Sequence, residues 1–590
     1  MKYPGHQHDQ NFISKSLIPA PYEFKKHILS KYKHVYESQG RSNANLDLMG
    51  INHTLKTSSI KLASSDDDIR KKASACAIRC SKIIAGGGLF NGCAYAKDMG
   101  IKLPRSKTDT GKIARLSCEY WWRRALRKKH GRTVEGLALD LTIVNKHKEI
   151  YASNASLNRR RNQKSRNRAI LEECLAVNEL GDSFTLQELA DLSVSNPKLR
   201  RMELMTRIAG FEEHANSNNM VGEFYTFTCP SRYHSSLSKT GKRNPKYDGS
   251  TPREGQKYLS VLWQRIRAKL HRENIQIYGF RVCEPQQDGT PHWHLLIFVK
   301  PEEKQELRSI CRHYNLQESP NEPGAQKHRF TVIAIDPKRG SAAGYIAKYI
   351  AKNIDGFAVD QDLFGNDANL AAERVDAWAS TWGIRQFQQV GGPSVTVWRE
   401  LRRIGEDCPE EIAEAHTAAD TGNWRHYCEV MERLPLSLAK QGPVNEETGE
   451  IKLNRYLEPA GEVITGLKIF DKEILTRVHT WEIKSNVGNN ESKKCNIGGT
   501  HTSSGNDKES RRGECSSRSS SNRSSSNGRG CISSCGNGND LQQGGEQGER
   551  NPIKLISLRD AIAAPWSSVN NCTQVQQIEK IINQNGGDSP

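Results

Sequence analysis

The 590-residue sequence has no uninterrupted apolar run of the length that crosses a bilayer. A membrane-spanning helix needs ~18 consecutive apolar residues, so we expect no transmembrane segment. The first residues, Met1 to Ile18, also have no long apolar core, which predicts that no secretory signal peptide is present. A protein without either feature is expected in the cytoplasm.

The cysteines do not form the pattern of a disulfide framework. There are 15 of them, an odd number scattered over a long chain, which favours reduced thiols in a cytosol. Cys76/Cys80 and Cys531/Cys535 have CxxxC spacing, but neither pair has a second, well-spaced pair of Cys or His nearby. A structural zinc site needs four ligands, so isolated structural cysteines are the favoured interpretation.

A phosphate-binding loop is also absent, and acidic residues are in deficit. No GxxxxGK[ST] motif is found, so neither a nucleoside triphosphate site nor an internal ATP-driven helicase is indicated. Asp and Glu number 67 against 86 Lys and Arg, which leaves a formal charge of +19. This excess favours a polyanionic partner, because basic side chains neutralise phosphates and release counterions.

Residues 1–215 are predicted to be a mainly helical, basic region that binds DNA. A helix candidate interleaves Trp121 and Trp122 with basic residues, and a second basic run follows it. Such a segment suits a phosphate backbone, although we expect the two tryptophans in the core rather than stacked on bases. The candidate DNA contacts are Arg123, Arg124, Arg127, Lys128, Lys129, Arg159, Arg160 and Arg161.

Residues 216–356 alternate between strand and helix patterns. Aromatic and β-branched residues predict four strands, and two stretches with apolar residues on one face predict the helices between them. A last helix carries two tyrosines. The order β-α-β-β-α-β-α predicts an α+β fold with a central ferredoxin-like antiparallel sheet, flanked by mainly helical N- and C-terminal regions.

The rest of the chain divides by composition. Residues 357–484 are predicted to be mainly helical, with a strand-like insert at Pro393–Trp398. Residues 485–551 are dominated by Ser, Gly, Asn and Arg. Such a segment cannot bury enough apolar surface to offset its ordering entropy, so we expect it to be disordered. Residues 552–590 form a short C-terminal tail with no readable role.

A pair of histidines opens the third predicted strand. His292 and His294 are one residue apart, and side chains in a strand alternate between faces, so both imidazoles point the same way while Trp293 points to the other face. Two imidazoles at this spacing can hold one divalent cation. The competing interpretation is two partly buried histidines bonded to backbone carbonyls.

The third metal ligand is expected from the preceding strand. Glu284 ends that strand, and the Asp288-Gly289 turn folds it back beside the histidines. Gln286 and Gln287, in the turn, are alternatives. A His/His/Glu set with open positions suits Mg²⁺ or Mn²⁺ acting on a phosphate oxygen, and the ligand types also admit zinc.

Tyr345 and Tyr349 are candidate nucleophiles. They are four residues apart, so on a helix they lie on one face, with Lys348 and Lys352 beside them. A phenol is a poor nucleophile near neutral pH because its pKa is ~10, and a nearby ammonium or metal favours the phenolate. Attack on a DNA phosphate yields a 5′-phosphotyrosine and a free 3′-OH. The alternative is an amphipathic helix with two semi-buried tyrosines.

These residues resemble three motifs of a known enzyme superfamily. In chain order they are Thr226-Phe227-Thr228, then Glu284 with Pro291-His292-Trp293-His294, then Tyr345-Ile346-Ala347-Lys348-Tyr349. They resemble the motifs of the HUH endonucleases, and the two-tyrosine form resembles the rolling-circle replication initiators. On this resemblance, residues 216–356 are the HUH endonuclease core.

More closely, the chain resembles the phage replication gene A protein (GPA) family of tailed temperate phages and their prophages. Further similarity lies in Cys118–Arg124 and Gly391–Leu401, so that the resemblance covers residues 110–410. It implies site-specific nicking of single-stranded or locally melted origin DNA, covalent 5′ attachment and initiation of rolling-circle replication. It also implies a host helicase and a host DNA polymerase in the bacterial cytoplasm.

The resemblance assigns roles residue by residue. Tyr345 and Tyr349 match the nucleophiles, His292 and His294 match the metal histidines, and Glu284 matches the third ligand. Two other functions remain open at this point. One is a two-tyrosine nickase of a plasmid or transposon. The other is a non-catalytic protein that marks an origin through its basic segments.

Overall fold

The computed structural model describes residues 7–485, apart from residues 58–59, 337, 339, 356–367, 406 and 446–447. The predictions for residues 486–551 and 552–590, and for Cys531/Cys535, lie outside the described residues.

The described residues form helices and strands along the whole range. The helices are α1 (Gln7–Leu17), α2 (Tyr22–Gln39), α3 (Arg41–Thr57), α4 (Asp66–Asp98), α5 (Asp109–Leu116), α6 (Glu119–Asp140), α7 (Asn154–Glu173), α8 (Leu186–Asp191), α9 (Pro197–Ser217), α10 (Pro252–Arg272), α11 (Lys304–Asn315), α12 (Ala325–His328), α13 (Ala342–Ile354), α14 (Ala368–Trp382), α15 (Val395–Leu401), α16 (Ala413–Asp420) and α17 (Trp424–Met431). The strands are β1 (Cys174–Asn178), β2 (Ser183–Thr185), β3 (Val221–Thr228), β4 (Tyr278–Pro285), β5 (Pro291–Val299), β6 (Phe330–Ala334), β7 (Phe387–Val390), β8 (Leu436–Gln441), β9 (Val463–Ile469), β10 (Lys472–Leu475) and β11 (Trp481–Ser485).

The central sheet has five strands in the order β6-β3-β5-β4-β7, and every neighbouring pair is antiparallel. The α+β class and the antiparallel sheet are therefore confirmed. The four strands predicted from the sequence are β3, β4, β5 and β6. The edge strand β7 was not predicted. It is only four residues long, and its pairing with β4 is a contact between distant parts of the chain.

Alternation along β5 separates two hydrophobic cores. Trp293, Leu295 and Ile297 belong to a core that includes buried residues of α10 and α11. Leu296 and Phe298 belong to a second core, with buried residues of α9 and α13. Since side chains in a strand alternate between faces, His292 and His294 lie on the second face, toward α13. The predicted opposition of the two histidines to Trp293 is confirmed.

Two predictions for residues 357–484 are wrong in part. The strand-like segment Pro393–Trp398 enters a helix, α15, because the Ser394 hydroxyl accepts a hydrogen bond from the Val397 amide and caps it. Val397 and Trp398 then bury their side chains in the second core. The region is also less helical than predicted, since it contributes β7 and the four strands β8 to β11.

The regions predicted as separate domains pack against one another. Strand β1, in residues 1–215, pairs with β11, which starts at Trp481. The first core contains residues of α2, α3 and α6 together with residues of the central sheet. Within the described part of the chain, no helix is both long and apolar enough to pass through a membrane.

The assignment of Trp293 to a closed core can be measured. Trp293 is 0% exposed and its indole N–H donates to Gln256 Oε1 at 2.9 Å. We expect Trp293→Ala to lower the free energy of unfolding by about 3–5 kcal/mol, because a large cavity is left. The control is Ile333→Ala, at a side chain 52% exposed on β6, which we expect to change it by less than about 0.5 kcal/mol. Equal losses in urea denaturation would contradict this core.

Candidate active site

The β4–β5 hairpin places one carboxylate opposite the two histidines. In its register Glu284 pairs with His292, and Val282 pairs with His294. The Asp288-Gly289 turn closes the hairpin: Gly289 adopts φ +79° and its amide donates to the Gln286 carbonyl at 2.8 Å. The left-handed backbone at this point favours glycine. The turn therefore brings Glu284 to the histidines, as predicted.

Ligand atoms of Glu284, His292 and His294 converge, all within 4.8 Å of one another. The two Nε2 atoms are 2.8 Å apart, and His294 Nε2 is 2.8 Å from Glu284 Oε1. Adjacent ligands at right angles around an ion with ~2.1 Å bonds are about 3 Å apart. Among the described residues this is the group of His, Cys, Asp and Glu side chains whose geometry could hold a metal ion.

The surroundings of both histidines are compatible with metal binding. His294 Nδ1 is 3.1 Å from the Thr226 hydroxyl, so the tautomer with its proton on Nδ1 donates to Thr226 and leaves the Nε2 lone pair for an ion. Burial, followed by the electrostatic effect of the neighbouring His294 ring, lowers the pKa of His292 to about 3. His292 is therefore neutral at neutral pH. Its buried Nδ1 has no hydrogen-bond partner among the described residues.

Glu284 is the most buried of the three ligands, at 1% exposure. Its second oxygen, Oε2, accepts a hydrogen bond from Lys352 Nζ at 2.8 Å. Burial alone raises the pKa of a carboxyl group, but Lys352 and the two histidines outweigh it and hold the pKa of Glu284 well below its usual range. The carboxylate is therefore ionised. The residue types and geometry fit a hard divalent cation such as Mg²⁺ or Mn²⁺.

Helix α13 carries Tyr349 to this group. Its first amides are satisfied from outside: Ser341 Oγ accepts from Gly344 N at 3.0 Å, and the Glu212 carboxylate accepts from the amides of Ala342 and Ala343. The Tyr349 ring lies 4.1 Å from the His294 ring, centroid to centroid, and 5.3 Å from Phe224. The phenol is thus held against a metal-ligand candidate.

The electrostatics at Tyr349 differ from the expectation that a lysine favours its phenolate. Lys352 is buried and paired with Glu284, and Lys348 is exposed with its Nζ 5.2 Å from the centre of the Tyr349 ring. Burial and the Glu284 carboxylate raise the pKa of Tyr349 to about 12. The phenol is therefore protonated at neutral pH.

Tyr345 lies one helical turn before Tyr349, about 6 Å along the axis. Its side chain is half-buried. Its backbone amide donates to the Ser341 carbonyl at 3.2 Å. The structure thus brings Tyr349 into contact with His294, whereas Tyr345 lies one turn nearer the start of α13.

A cavity of about 310 Å³ opens over the site. Glu284, both histidines, Tyr349 and Lys352 all line it. Sequence reasoning missed some further lining residues, namely His234, Ser236 and Ser238. The only sequence feature that could have pointed to these residues was their position in a basic loop after the first predicted strand. Tertiary contacts bring that loop to the site, because His234 Nδ1 lies 3.2 Å from the carboxylate of Asp288, in the β4–β5 turn.

The two alternative ligands line the same cavity. Gln286 and Gln287 lie in the turn, and Gln287 Oε1 is buried without a hydrogen-bond partner among the described residues. Gln287 therefore remains an additional candidate oxygen ligand. Glu284 is the residue whose oxygen approaches the histidine nitrogens.

Most of the basic residues proposed to contact DNA are engaged within the protein. Those on α6 bond to neighbouring helices and loops: Arg127 Nε donates to Asp66 Oδ1 at 2.7 Å, Arg124 to the Tyr456 hydroxyl at 2.7 Å, and Lys129 to the Met99 carbonyl at 2.6 Å. Arg123 is buried and lies 3.6 Å from Asp66. Lys128 lies on the same helix.

The arginines of α7 hold it against α14. Arg159 donates to Thr381 Oγ1 at 2.9 Å, and Arg160 pairs with Asp376 at 2.8 Å. Arg161 pairs with Glu373. DNA binding by this set stays a prediction. Trp122, by contrast, is a core residue, with its indole N–H bonded to the Leu116 carbonyl at 2.7 Å.

The described cysteine pair with CxxxC spacing packs within the protein. Cys76 and Cys80 are buried in α4, where Cys76 Sγ accepts from the Tyr95 hydroxyl at 3.5 Å. Within the described ranges they belong to no cluster that could hold a metal.

Comparison with known families agrees with this geometry. The family model described as bacteriophage replication gene A protein (GPA) matches residues 54–357. The chain belongs to this family. The match contains the hairpin with Glu284, His292 and His294, and helix α13 with both tyrosines.

Curated relatives have names consistent with the family. The replication gene A protein of Escherichia phage 186 is 42% identical over 63% of this chain and 55% of its own length. That of Escherichia phage P2 is 39% identical over 53% of this chain and 44% of its own. A protein named "Probable replication endonuclease from prophage-like region" in Salmonella paratyphi A is 35% identical over 50% of this chain and 37% of its own length.

The chain spans about half the length of the curated relatives it matches. No solved structure matches it.

Metal binding tests the ligand set. We expect His292→Ala and His294→Ala each to weaken Mn²⁺ binding, measured by calorimetry, at least about tenfold, because each removes a ligand. Thr226→Val should weaken it about 10- to 100-fold through the lost support of His294. His313→Ala, at an exposed histidine of α11, is the control and should bind as the unmodified protein does. Undiminished binding by both ligand variants would reject the site.

The ion pair beneath the site makes a second prediction. Lys352→Met leaves the buried Glu284 without its cation, which we expect to cost about 3–5 kcal/mol of stability. A bound ion supplies positive charge at the same carboxylate, so Mn²⁺ should raise the melting temperature of this variant more than that of the unmodified protein. The control is Lys348→Met at the exposed neighbour, which should respond as the unmodified protein does. An equal Mn²⁺ response in all three would contradict the coupling.

Proposed function

We propose that this protein is a metal-dependent, single-strand-specific DNA endonuclease and strand transferase that nicks a phage replication origin and initiates rolling-circle replication. The observation that carries the proposal is the Tyr349 ring held 4.1 Å from the His294 ring, in a cavity shared with Glu284 and His292. A nucleophile of the type that forms covalent links to phosphate thus faces a candidate metal site, in a chain of the GPA family.

The topology supports an HUH core. Numbered within the core, the first four strands of the sheet lie in the order 4-1-3-2, given by β6-β3-β5-β4. This is the order of a split βαβ arrangement of the ferredoxin-like type. It places the histidine strand β5 in the middle of the sheet, where both neighbours constrain it.

The reaction proceeds by transfer to a tyrosine. The phenolic oxygen of Tyr349 or Tyr345 attacks the scissile phosphorus, and the bond between phosphorus and the 3′ oxygen breaks. The phenol loses one proton and the leaving 3′ oxygen gains one. The products are a 5′-phosphotyrosine and a free 3′-OH. Because the link is itself a phosphodiester, a later 3′-OH can reverse the step and join strands.

The metal, when bound by His292, His294 and Glu284, would polarise the scissile phosphate and supply the positive charge that a phenolate needs. The chain's own residues prepare the site. Lys352 keeps the Glu284 carboxylate ionised and oriented. Lys348, exposed beside Tyr349, is placed to contact the backbone of the bound strand.

The second tyrosine provides for repeated transfer. While one tyrosine holds the 5′ end, the other can cut after a round of copying, and the old 3′-OH then attacks the first link to release a circle. Unwinding and copying are assigned to a host helicase and DNA polymerase. We place this process in the cytoplasm of the bacterial host.

Two other functions are less well supported. A plasmid or transposon nickase would use the same chemistry, but the family match is to phage proteins and relatives are named for prophage-like regions. A non-catalytic origin-binding protein has no chemical need for ligand atoms that converge, or for a tyrosine held against them. Binding without cutting would favour that second alternative.

Tyrosine replacement tests the nucleophiles. We expect the double variant Tyr345→Phe/Tyr349→Phe to form no covalent adduct with a labelled single-stranded origin in Mn²⁺, because both phenolic oxygens are gone. The control is Tyr22→Phe, at a side chain 86% exposed on α2, which should form the adduct at the rate of the unmodified protein. Peptide mapping of the adduct identifies the linked residue. Full cleavage by the double variant would overturn the assignment.

A further inference from the structure

A second cavity lies beside the candidate active site. It has a volume of about 450 Å³ and is bordered by α10, by the C-terminal end of α11 and by the loop that follows β3. Three tyrosines line it, Tyr233, Tyr258 and Tyr314, together with the basic side chains of Arg232, Lys257 and Arg265. Neither the resemblance nor the proposed chemistry gives this cavity a role.

The aromatic surface of this cavity is built and held in place. The rings of Tyr233 and Tyr258 lie 5.3 Å apart, and the Arg232 guanidinium lies 4.0 Å above the Tyr233 ring. Arg232 is itself held by Glu318 and Asp248, each at 2.7 Å. Tyr314 is half-buried against the first core.

Two basic side chains of the cavity lining are available to bind a ligand. Lys257 and Arg265 are exposed and two turns apart on one face of α10, with no ion pair or hydrogen bond to any other described residue. The two acidic residues of the lining are already used. Glu318 pairs with Arg232, and the Glu254 carboxylate accepts hydrogen bonds from the amide and hydroxyl of Thr251 at the start of α10.

One short loop joins this cavity to the active-site cavity. Arg232 and Tyr233 line the first, and the next residue, His234, lines the second. Asn244 Nδ2 donates to the carbonyls of Ser231 and His234, and the Thr290 hydroxyl of the β4–β5 hairpin donates to the Tyr233 carbonyl at 3.1 Å. The loop that borders both cavities is therefore held in place at Tyr233 and His234.

We infer that this cavity is a binding site for single-stranded DNA, which receives the nucleotides beside the scissile phosphate. Bases stack on Tyr258 and Tyr314, and Lys257 and Arg265 neutralise the adjoining phosphates. Aromatic stacking together with basic side chains that follow the backbone is how proteins bind single strands without reading sequence. The inference rests on the proposed function for the direction of the strand toward the tyrosines, but its binding can be measured without any cleavage.

The experiment uses the full chain with Tyr345→Phe/Tyr349→Phe as background and a fluorescein-labelled (dT)20 strand as probe. In that background we expect Lys257→Glu/Arg265→Glu to raise the Kd at least tenfold in fluorescence anisotropy. The slope of log affinity against log salt should become shallower by about 1.4, as for two lost phosphate contacts on a single strand. The charge-matched control is Arg267→Glu/Arg272→Glu, at exposed positions of the same helix that do not line the cavity, and should bind within about twofold of the background.

Photo-crosslinking gives a second measurement that does not depend on charge. With 5-iododeoxyuridine in the probe, we expect crosslinks in the peptides that contain Tyr258 or Tyr314. In the Tyr314→Leu variant, the crosslink in the peptide that contains residue 314 should be lost. An unchanged Kd and slope in Lys257→Glu/Arg265→Glu, or crosslinks confined to other parts of the chain, would overturn the inference. Absence of a covalent adduct with the unmodified protein would instead refute the proposed function and leave the binding result standing.

Discussion

The site depends on one buried carboxylate. Glu284, at 1% exposure, lies 2.8 Å from His294 Nε2 through one oxygen and accepts a hydrogen bond from Lys352 through the other. An unpaired charge at such a position is strongly destabilising, so the sheet and α13 must come together before the carboxylate can be buried. The same contact therefore joins the β4–β5 hairpin to the helix that carries Tyr349, and so links the candidate metal ligands to the candidate nucleophile.

The two faces of the central sheet differ in what their side chains form. On one face Trp293 and its neighbours form a closed core with α10 and α11. On the other, His292 and His294 occupy the end of a core that continues under α9 and α13. The apolar part of each face packs the strands against helices, and the polar side chains of His292 and His294 lie at the end of β5. The loop after β3 then borders both the candidate active site and the aromatic cavity beside it.

Burial sets the electrostatics of the candidate site. Burial keeps His292 neutral and Tyr349 protonated, and the buried ammonium of Lys352 is paired with Glu284. Ligands ready to accept a cation and a phenol that is hard to ionise are complementary properties. Lys348, beside Tyr349, and the cavity-lining cations Lys257 and Arg265 of α10 are all exposed.

Local patterns in the sequence determined much of this arrangement. The alternation of a strand aligned His292 with His294, the Asp-Gly turn returned Glu284 to them, and helical spacing put Tyr345 and Tyr349 on one face. These follow from backbone geometry within a few residues. Only the tertiary structure decided that Lys352 pairs with Glu284, that the arginines of α6 and α7 bond internally, that β7 joins the sheet, and that Pro393–Trp398 begins a helix. Such outcomes depend on which distant groups share a buried space, because burial and pairing are properties of the folded whole.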